Sequence, residues 1–213
     1  MTEREERARG LHGIYAIVND SEDGAGRLMR AALEGGARIV QYRAKRGIDL
    51  TRARNMLAAA RECGALFIVN DDWRAAETLD ADGVHLGPED ARPDEVAAIR
   101  AALPHRLIGV SCGTPREARA AEEAGADYAG VGAVYATQSK ADAGEPIGIA
   151  GLLRVAGATC VPVAAIGGIG FANLAEVRRA GVAMAAVISA IAASDDPRAA
   201  TARLVGIWGG EGA

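Results

Sequence analysis

The sequence predicts one α/β domain, a single (β/α)8 barrel of the TIM type, and three features of its 213 residues carry that expectation. Short apolar runs rich in β-formers recur eight times. Each is followed by an Ala/Leu/Arg/Glu segment whose apolar residues fall at helical spacing, the alternation that builds parallel βα units. No Pro-rich linker, low-complexity run or break in composition divides the chain, and its 50% hydrophobic content is enough for one sizeable core.

In chain order the expected strands are GIYAIVN (13–19), RIVQYR (38–43), LFIVND (66–71), GVHLG (83–87), LIGVSCG (107–113), YAGVGAV (128–134), PVAAIGG (162–168) and MAAVISA (184–190). Between them, GRLMRAALEGGA (26–37), TRARNMLAAARECGA (51–65) and PREARAAEEAGA (115–126) read as amphipathic helices, with GG or AGA marking the helix end before the next strand. A last helix near DPRAATARLVGIW (196–208) completes the outer ring, and residues 1–12 are expected to be a charged N-terminal extension of a domain covering 1–213. An open doubly wound sheet is the structural alternative. It is disfavoured because no GxGxxG fingerprint follows the first strand.

The formal charge of −4 gives the surface as a whole no attraction for nucleic acid or anionic lipid, so any anion must be held by a local site. Cys63, Cys112 and Cys160 are scattered and lack metal-ligand spacing, which supports neither a disulfide framework nor a zinc site and points to a reducing cytoplasm. MTEREERARG lacks the apolar stretch of a signal peptide, and no later segment supplies the ~18 uncharged apolar residues of a membrane span. The expected partners are therefore small molecules. A homo-oligomer is compatible with the sequence.

Active sites of this fold sit where strands end and βα loops begin, so strand-terminal residues are the candidates. Gln41, Arg43 and Lys45 alternate at the end of the second run, which in an extended segment puts them on one face and Tyr42 and Ala44 on the other. Asn70 and Asp71 end the third run, Asp90 follows the fourth and Ser111 ends the fifth. Thr137, Gln138, Ser139 and Lys140 follow the sixth, Gly167 and Gly168 end the seventh, and Ile188 and Ser189 end the eighth.

Taken singly, aspartates at strand ends and exposed basic residues are ordinary surface groups. Brought to one barrel mouth, they describe a different object. Asp71 and Asp90 suit a hard divalent cation such as Mg²⁺, which takes one or two carboxylates plus phosphate oxygens and water. Arg43 offers a planar donor fork to phosphoryl oxygens, while Lys45 and Lys140 add point charges. AAIGGI (164–169) and AVISAI (186–191) suggest a second anion site, because small residues let backbone N–H groups approach a phosphate. The bland reading of these glycines is close packing of strand and helix.

QYRAK, VNDDWRAA, DADGVHLGPED, GVSCGT, GAVYATQSKADAGEPIGIAGL, AAIGGI and VISAI, in that order across nearly the whole chain, resemble the thiamine-phosphate synthase family. The resemblance implies a barrel transferase that joins hydroxymethylpyrimidine diphosphate to thiazole phosphate (or its carboxylated precursor) and releases pyrophosphate with Mg²⁺. It implies Gln41, Arg43, Lys45, Asn70, Ser111 and Lys140 for the pyrimidine diphosphate, with Arg43, Lys45, Ser111 and Lys140 closest to catalysis. It also implies Asp71 and Asp90 for the metal, and Thr137, Gln138, Ser139, Gly168, Ile188 and Ser189 for the thiazole phosphate. Four positions depart from the family pattern: Pro88 where many relatives carry Gln, Tyr135–Ala136 in place of Phe–Pro, and Ser139 in place of Thr. The last keeps the hydroxyl.

Related functions fit less well. A thiazole tautomerase has no diphosphate to ionise and tends to lack the paired acidic residues. Sugar-phosphate isomerases share the phosphate-loop motifs but would not require the metal pair, and a non-catalytic phosphate-ligand-binding barrel would be degenerate, which nothing in this sequence is. Cys112 has no recognisable base, and His85 reads as a satisfied interior histidine. His12 and His105 lack any motif context. Trp73 and Trp208 read as packing residues within helices.

Overall fold

The computed structural model describes residues 1–20, 24–88, 92–139 and 144–210. Eight parallel strands pair in sequence order and close, with β1 (Gly13–Asn19) bonded to both β2 (Ile39–Arg43) and β8 (Met184–Val187). Between them run β3 (Leu66–Asn70), β4 (Gly83–Leu86), β5 (Leu107–Cys112), β6 (Tyr128–Val131) and β7 (Val163–Ile166). Closure excludes the doubly wound alternative. Each expected run contains its strand, but β6 stops at Val131 and β8 at Val187, and the residues beyond become loop or helix at the barrel mouth.

The period of two sorts each strand into an inner and an outer set. Tyr15, Ile17, Ile39, Ile68, Leu107, Tyr128, Met184 and Ala186 fill the barrel interior, while Ile14, Val18, Val40, Tyr42, Phe67 and Val69 face the surrounding helices. Those helices are α2 (Ala25–Glu34), α3 (Leu50–Glu62), α4 (Trp73–Leu79), α5 (Pro93–Ala102), α6 (Pro115–Glu123), α7 (Gly148–Ala156), α8 (Leu174–Arg179), the short α9 (Ser189–Ala192) and α10 (Pro197–Gly209). Their buried stripes are alanine-rich, with Ala53, Ala60, Ala76 and Ala118 fully inaccessible, so backbones lie close to the sheet without large side chains. Asp49 caps α3, and Thr114 with Glu117 forms a reciprocal capping box on α6.

The N-terminal segment is more than a charged extension. Thr2 and Glu5 cap α1 (Glu3–Ala8), which lies across the N-terminal end of the barrel and places buried Leu11 in the interior cluster. Arg4 pairs with Asp127 at 2.6 Å and Arg7 with Asp82 at 3.2 Å. Among the described residues, no helix is long and apolar enough to cross a membrane.

Candidate functional site

The C-terminal ends of β2 and β3 form one wall of the barrel mouth. Gln41 shares the inward face of β2 with Ile39, is 1% exposed, and donates from Nε2 to the Tyr15 hydroxyl at 2.8 Å. Its Oε1 is buried with no hydrogen-bond partner among the described residues. Arg43, 9% exposed, donates to Asn19 Oδ1 at 3.2 Å and has no carboxylate partner among the described residues. Lys45 differs from the sequence expectation. The strand ends at Arg43, so Lys45 sits exposed in a turn and strand alternation does not set its direction.

Asn70 is buried at the end of β3, and Asp71 follows it in the left-handed region with φ 61°. Asp71 Oδ1 accepts the Gly87 N–H at 2.9 Å and its Oδ2 accepts from the Asn70 side-chain amide. A positive φ is tolerated best by Gly, Asn and Asp, and of these only Asn and Asp carry a side-chain oxygen that can accept such bonds. The exposed carboxylate keeps lone pairs beyond these two bonds, and a hard oxygen donor at the barrel mouth fits Mg²⁺. Asp90, its expected partner, and Lys140 lie outside the described residues. Among the described residues there is no cluster of three His, Cys, Asp or Glu side chains arranged around a metal position.

The opposite wall, from β5 round to β8, encloses a cavity of about 470 Å³. Ser111, Thr137, Ser139, Gly168, Ile188 and Ser189 line it, so most of the residues expected there are brought together. Gln138 is exposed and does not line it. Gly167 and Gly168 have φ of 100° and 63°, and a Cβ on Gly168 would lie 2.5 Å from the Ala136 carbonyl oxygen. The glycines are therefore required by the protein's own packing, whatever a ligand adds. Asn173 braces this loop, accepting from Gly170 N at 2.8 Å and donating to Gly168 O at 2.9 Å.

Sequence reasoning missed two arrangements. Tyr135, the departure from Phe–Pro, donates its hydroxyl to Glu176 Oε2 at 2.8 Å and ties the loop carrying Thr137 and Ser139 to α8. Burial, and then the Glu176 carboxylate, push its phenol up to about 12. The second is an interior chain. Tyr15 Oη and Tyr128 Oη are 2.9 Å apart, Tyr128 Oη and His85 Nδ1 3.1 Å, and His85 Nε2 and Ser111 Oγ 3.1 Å. His85 is thus interior and hydrogen-bonded, as expected, but it also touches a candidate site residue. A tyrosine in an apolar run carries no sequence signal beyond core packing.

The residues set aside behave accordingly. The Cys112 thiol is pushed up to about 12 by burial and then by the Glu117 charge, the opposite of an activated nucleophile. Trp73 and Trp208 pack against the outer core.

Polar groups at the C-terminal mouth of a closed barrel, beside a glycine-built loop after β7 and a helix start after β8, give the layout of a barrel enzyme. The chain belongs to the thiamine monophosphate synthase family, whose model matches residues 14–191. It is 44% identical over 200 residues to the thiamine-phosphate synthase of Moorella thermoacetica, covering 90% of this chain and 93% of that protein. It is 48% identical over 177 residues to the thiamine biosynthesis bifunctional protein ThiM/ThiE of Symbiobacterium thermophilum, covering 81% of this chain but 36% of that longer protein. The solved thiamine phosphate pyrophosphorylase from Pyrococcus furiosus superposes with a TM-score of 0.86 at 37% identity, covering 96% of this chain and 99% of that one.

Proposed function

We infer that this chain is a thiamine-phosphate synthase, a transferase of thiamine biosynthesis acting on two small-molecule substrates. It joins 4-amino-2-methyl-5-hydroxymethylpyrimidine diphosphate to 4-methyl-5-(2-phosphoethyl)thiazole and releases pyrophosphate, with carbon dioxide lost as well where the carboxylated precursor is the acceptor. The observation that carries the reading is Arg43, a nearly buried guanidinium held by a neutral amide with no described carboxylate beside it. A buried cation without a counter-charge is costly unless an anionic ligand completes the site.

The carbon–oxygen bond to the diphosphate breaks with both electrons leaving on oxygen, and the electron-rich aminopyrimidine stabilises the resulting cation. The thiazole nitrogen then donates its lone pair to that carbon. Such a reaction needs charge neutralisation and alignment rather than a covalent nucleophile. Arg43 donates to the departing phosphoryl oxygens, with Lys45, Lys140 and Ser111 adding donors and Asn70 orienting the group. Gln41 recognises the pyrimidine through Oε1, which has no hydrogen-bond partner among the described residues. Thr137, Ser139, Gly168, Ile188 and Ser189 hold the thiazole phosphate, largely through backbone N–H groups.

Asp71 and Asp90 would hold Mg²⁺, which when bound neutralises diphosphate charge. The free thiols of Cys63, Cys112 and Cys160 support a reducing compartment, the cytoplasm. The test is to incubate purified protein with Mg²⁺ and both substrates and follow thiamine phosphate and pyrophosphate by chromatography. Stoichiometric appearance of both, lost when Mg²⁺ is chelated, is the expected result. Absence of both products from folded protein would overturn the reading.

A further inference from the structure

The interior chain runs from Gln41 on β2 to Ser111 on β5 through three side chains with no assigned role. We propose that Tyr15, Tyr128 and His85 are positioning residues, which together set the orientation of the Gln41 amide and the direction of the Ser111 hydroxyl. The proposal rests on the pyrimidine reading of the site for its substrate, but not for its geometry.

Proton counting supplies the argument. The Gln41 Nε2 group can only donate, so it makes Tyr15 Oη an acceptor. The single Tyr15 proton then goes to Tyr128 Oη, and the single Tyr128 proton to His85 Nδ1. His85 therefore carries its proton on Nε2 and donates to Ser111 Oγ, which leaves the Ser111 proton to point into the cavity that Ser111 lines. In the opposite polarity every bond reverses together, Gln41 turns its amide nitrogen toward a ligand and Ser111 spends its proton on His85. One end cannot be set independently of the other.

The fold is shaped to keep this chain. A Cβ on Gly109 would lie 2.1 Å from Tyr128 Cζ, and one on Gly130 would lie 2.8 Å from His85 Cε1. Absent side chains at these two inward positions make the channel through which the phenol and imidazole cross the barrel. Tyr15 and Tyr128 meet edge to face with centroids 6.1 Å apart, which fixes both rings. Burial raises both phenols well above their ordinary range, so both keep the proton the chain requires. Gln41 Oε1, which has no hydrogen-bond partner among the described residues, is then a fixed acceptor, matched to a donor such as an exocyclic amine.

Two measurements test this. Nitrogen-15 NMR of the ligand-free protein reads the His85 tautomer directly. The expected result is a proton on Nε2 in the unsubstituted protein and a mixture of tautomers in Tyr15→Phe, where Tyr128 is released from the donor end. A proton on Nδ1 in the unsubstituted protein, or no change in the variant, overturns the proposal.

The kinetic arm compares the amino-pyrimidine diphosphate with its oxo analogue, which presents an acceptor in place of the amine. Tyr15→Phe and Tyr128→Phe should each narrow the kcat/KM preference for the amine by about tenfold, the size of one hydrogen bond, and mainly through KM. The double variant should narrow it no further, because either substitution already breaks the chain. Melting temperature checks the fold of each variant, and Tyr15→Phe serves if Tyr128→Phe does not fold. Equal loss on both substrates, or additive effects, would mean the tyrosines only pack. Failure of the unsubstituted protein to turn over either pyrimidine would sink the proposed activity, while the NMR arm would still decide the chain.

Discussion

At the N-terminal end of the barrel Asp127 and Asp82 are matched by arginines, whereas at the C-terminal end the buried Arg43 has no carboxylate partner among the described residues. Asp127, 5% exposed at its side chain, accepts from Arg4 at 2.6 Å, from Arg100 and from the Ile108 N–H at 2.8 Å. Asp82 accepts from Arg7 at 3.2 Å and from the Phe67 N–H at 2.9 Å. Burial, only partly offset by Asp127, lowers the Arg100 guanidinium from its ordinary value, and it stays a cation held by three backbone carbonyls as well. At the other end Arg43 has, among the described residues, only the Asn19 amide, Gln41 Oε1 has no described partner, and Asp71 occupies a left-handed backbone position. Groups that satisfy one another contribute to folding, and groups left unsatisfied await a ligand.

The largest effect should come from breaking the matched end. Asp127→Asn strands Arg100 in a buried site and should cost about 3–5 kcal/mol of stability. Turnover per folded molecule should be near normal. Urea denaturation with kinetics on the same preparation checks both, and a selective loss of kcat would erase the distinction between the ends.

Arg43→Gln should do the reverse. It should lower kcat about 10²–10³-fold, roughly 2.7–4 kcal/mol, because its charge matters most as the diphosphate departs. Stability of the ligand-free protein should hold or rise, since an uncompensated buried cation is removed. A change confined to KM would show that Arg43 binds ground and transition states alike.

Asp71→Asn is a finer probe, because Asn accepts the same positive φ and can keep the Gly87 bond. The Mg²⁺ concentration for half-maximal rate should rise on the order of tenfold or more, about 1.4 kcal/mol. Melting temperature should change little. An unchanged Mg²⁺ profile would remove Asp71 from the metal site.

The smallest effect concerns the loop at the mouth. Tyr135→Phe should cost about 0.5 kcal/mol of stability and raise the KM for the thiazole phosphate more than that for the pyrimidine diphosphate. Its alkaline behaviour has a definite sign. The folded phenols of Tyr135 and Tyr42 are both raised to about 12 from an ordinary 10, so the unfolded chain loses these protons first. Stability from both is present below pH 10 and is lost as pH rises toward 12. Denaturation midpoints between pH 8 and 11.5 should fall less steeply in Tyr135→Phe.

Much of this was legible in the chain. The eight apolar runs predict the eight strands because side-chain alternation and turn residues act over a few positions, and the strand-terminal rule places Gln41, Arg43, Asn70, Asp71 and Ser111 at one mouth before any coordinates. The expectation failed where it extended strand alternation past the strand. Lys45 follows Arg43 by two residues, yet the chain has already turned.

Residue order and composition by themselves determined the barrel, the list of mouth residues and the family likeness, since each depends on short-range patterning. Tertiary structure alone decided which polar groups meet. Arg4 finds Asp127 across 123 residues, and Tyr15 finds Tyr128 across 113. A hydrogen bond requires partners within about 3 Å and a favourable angle, and separations of that kind exist only once closure between β1 and β8 fixes the barrel's diameter.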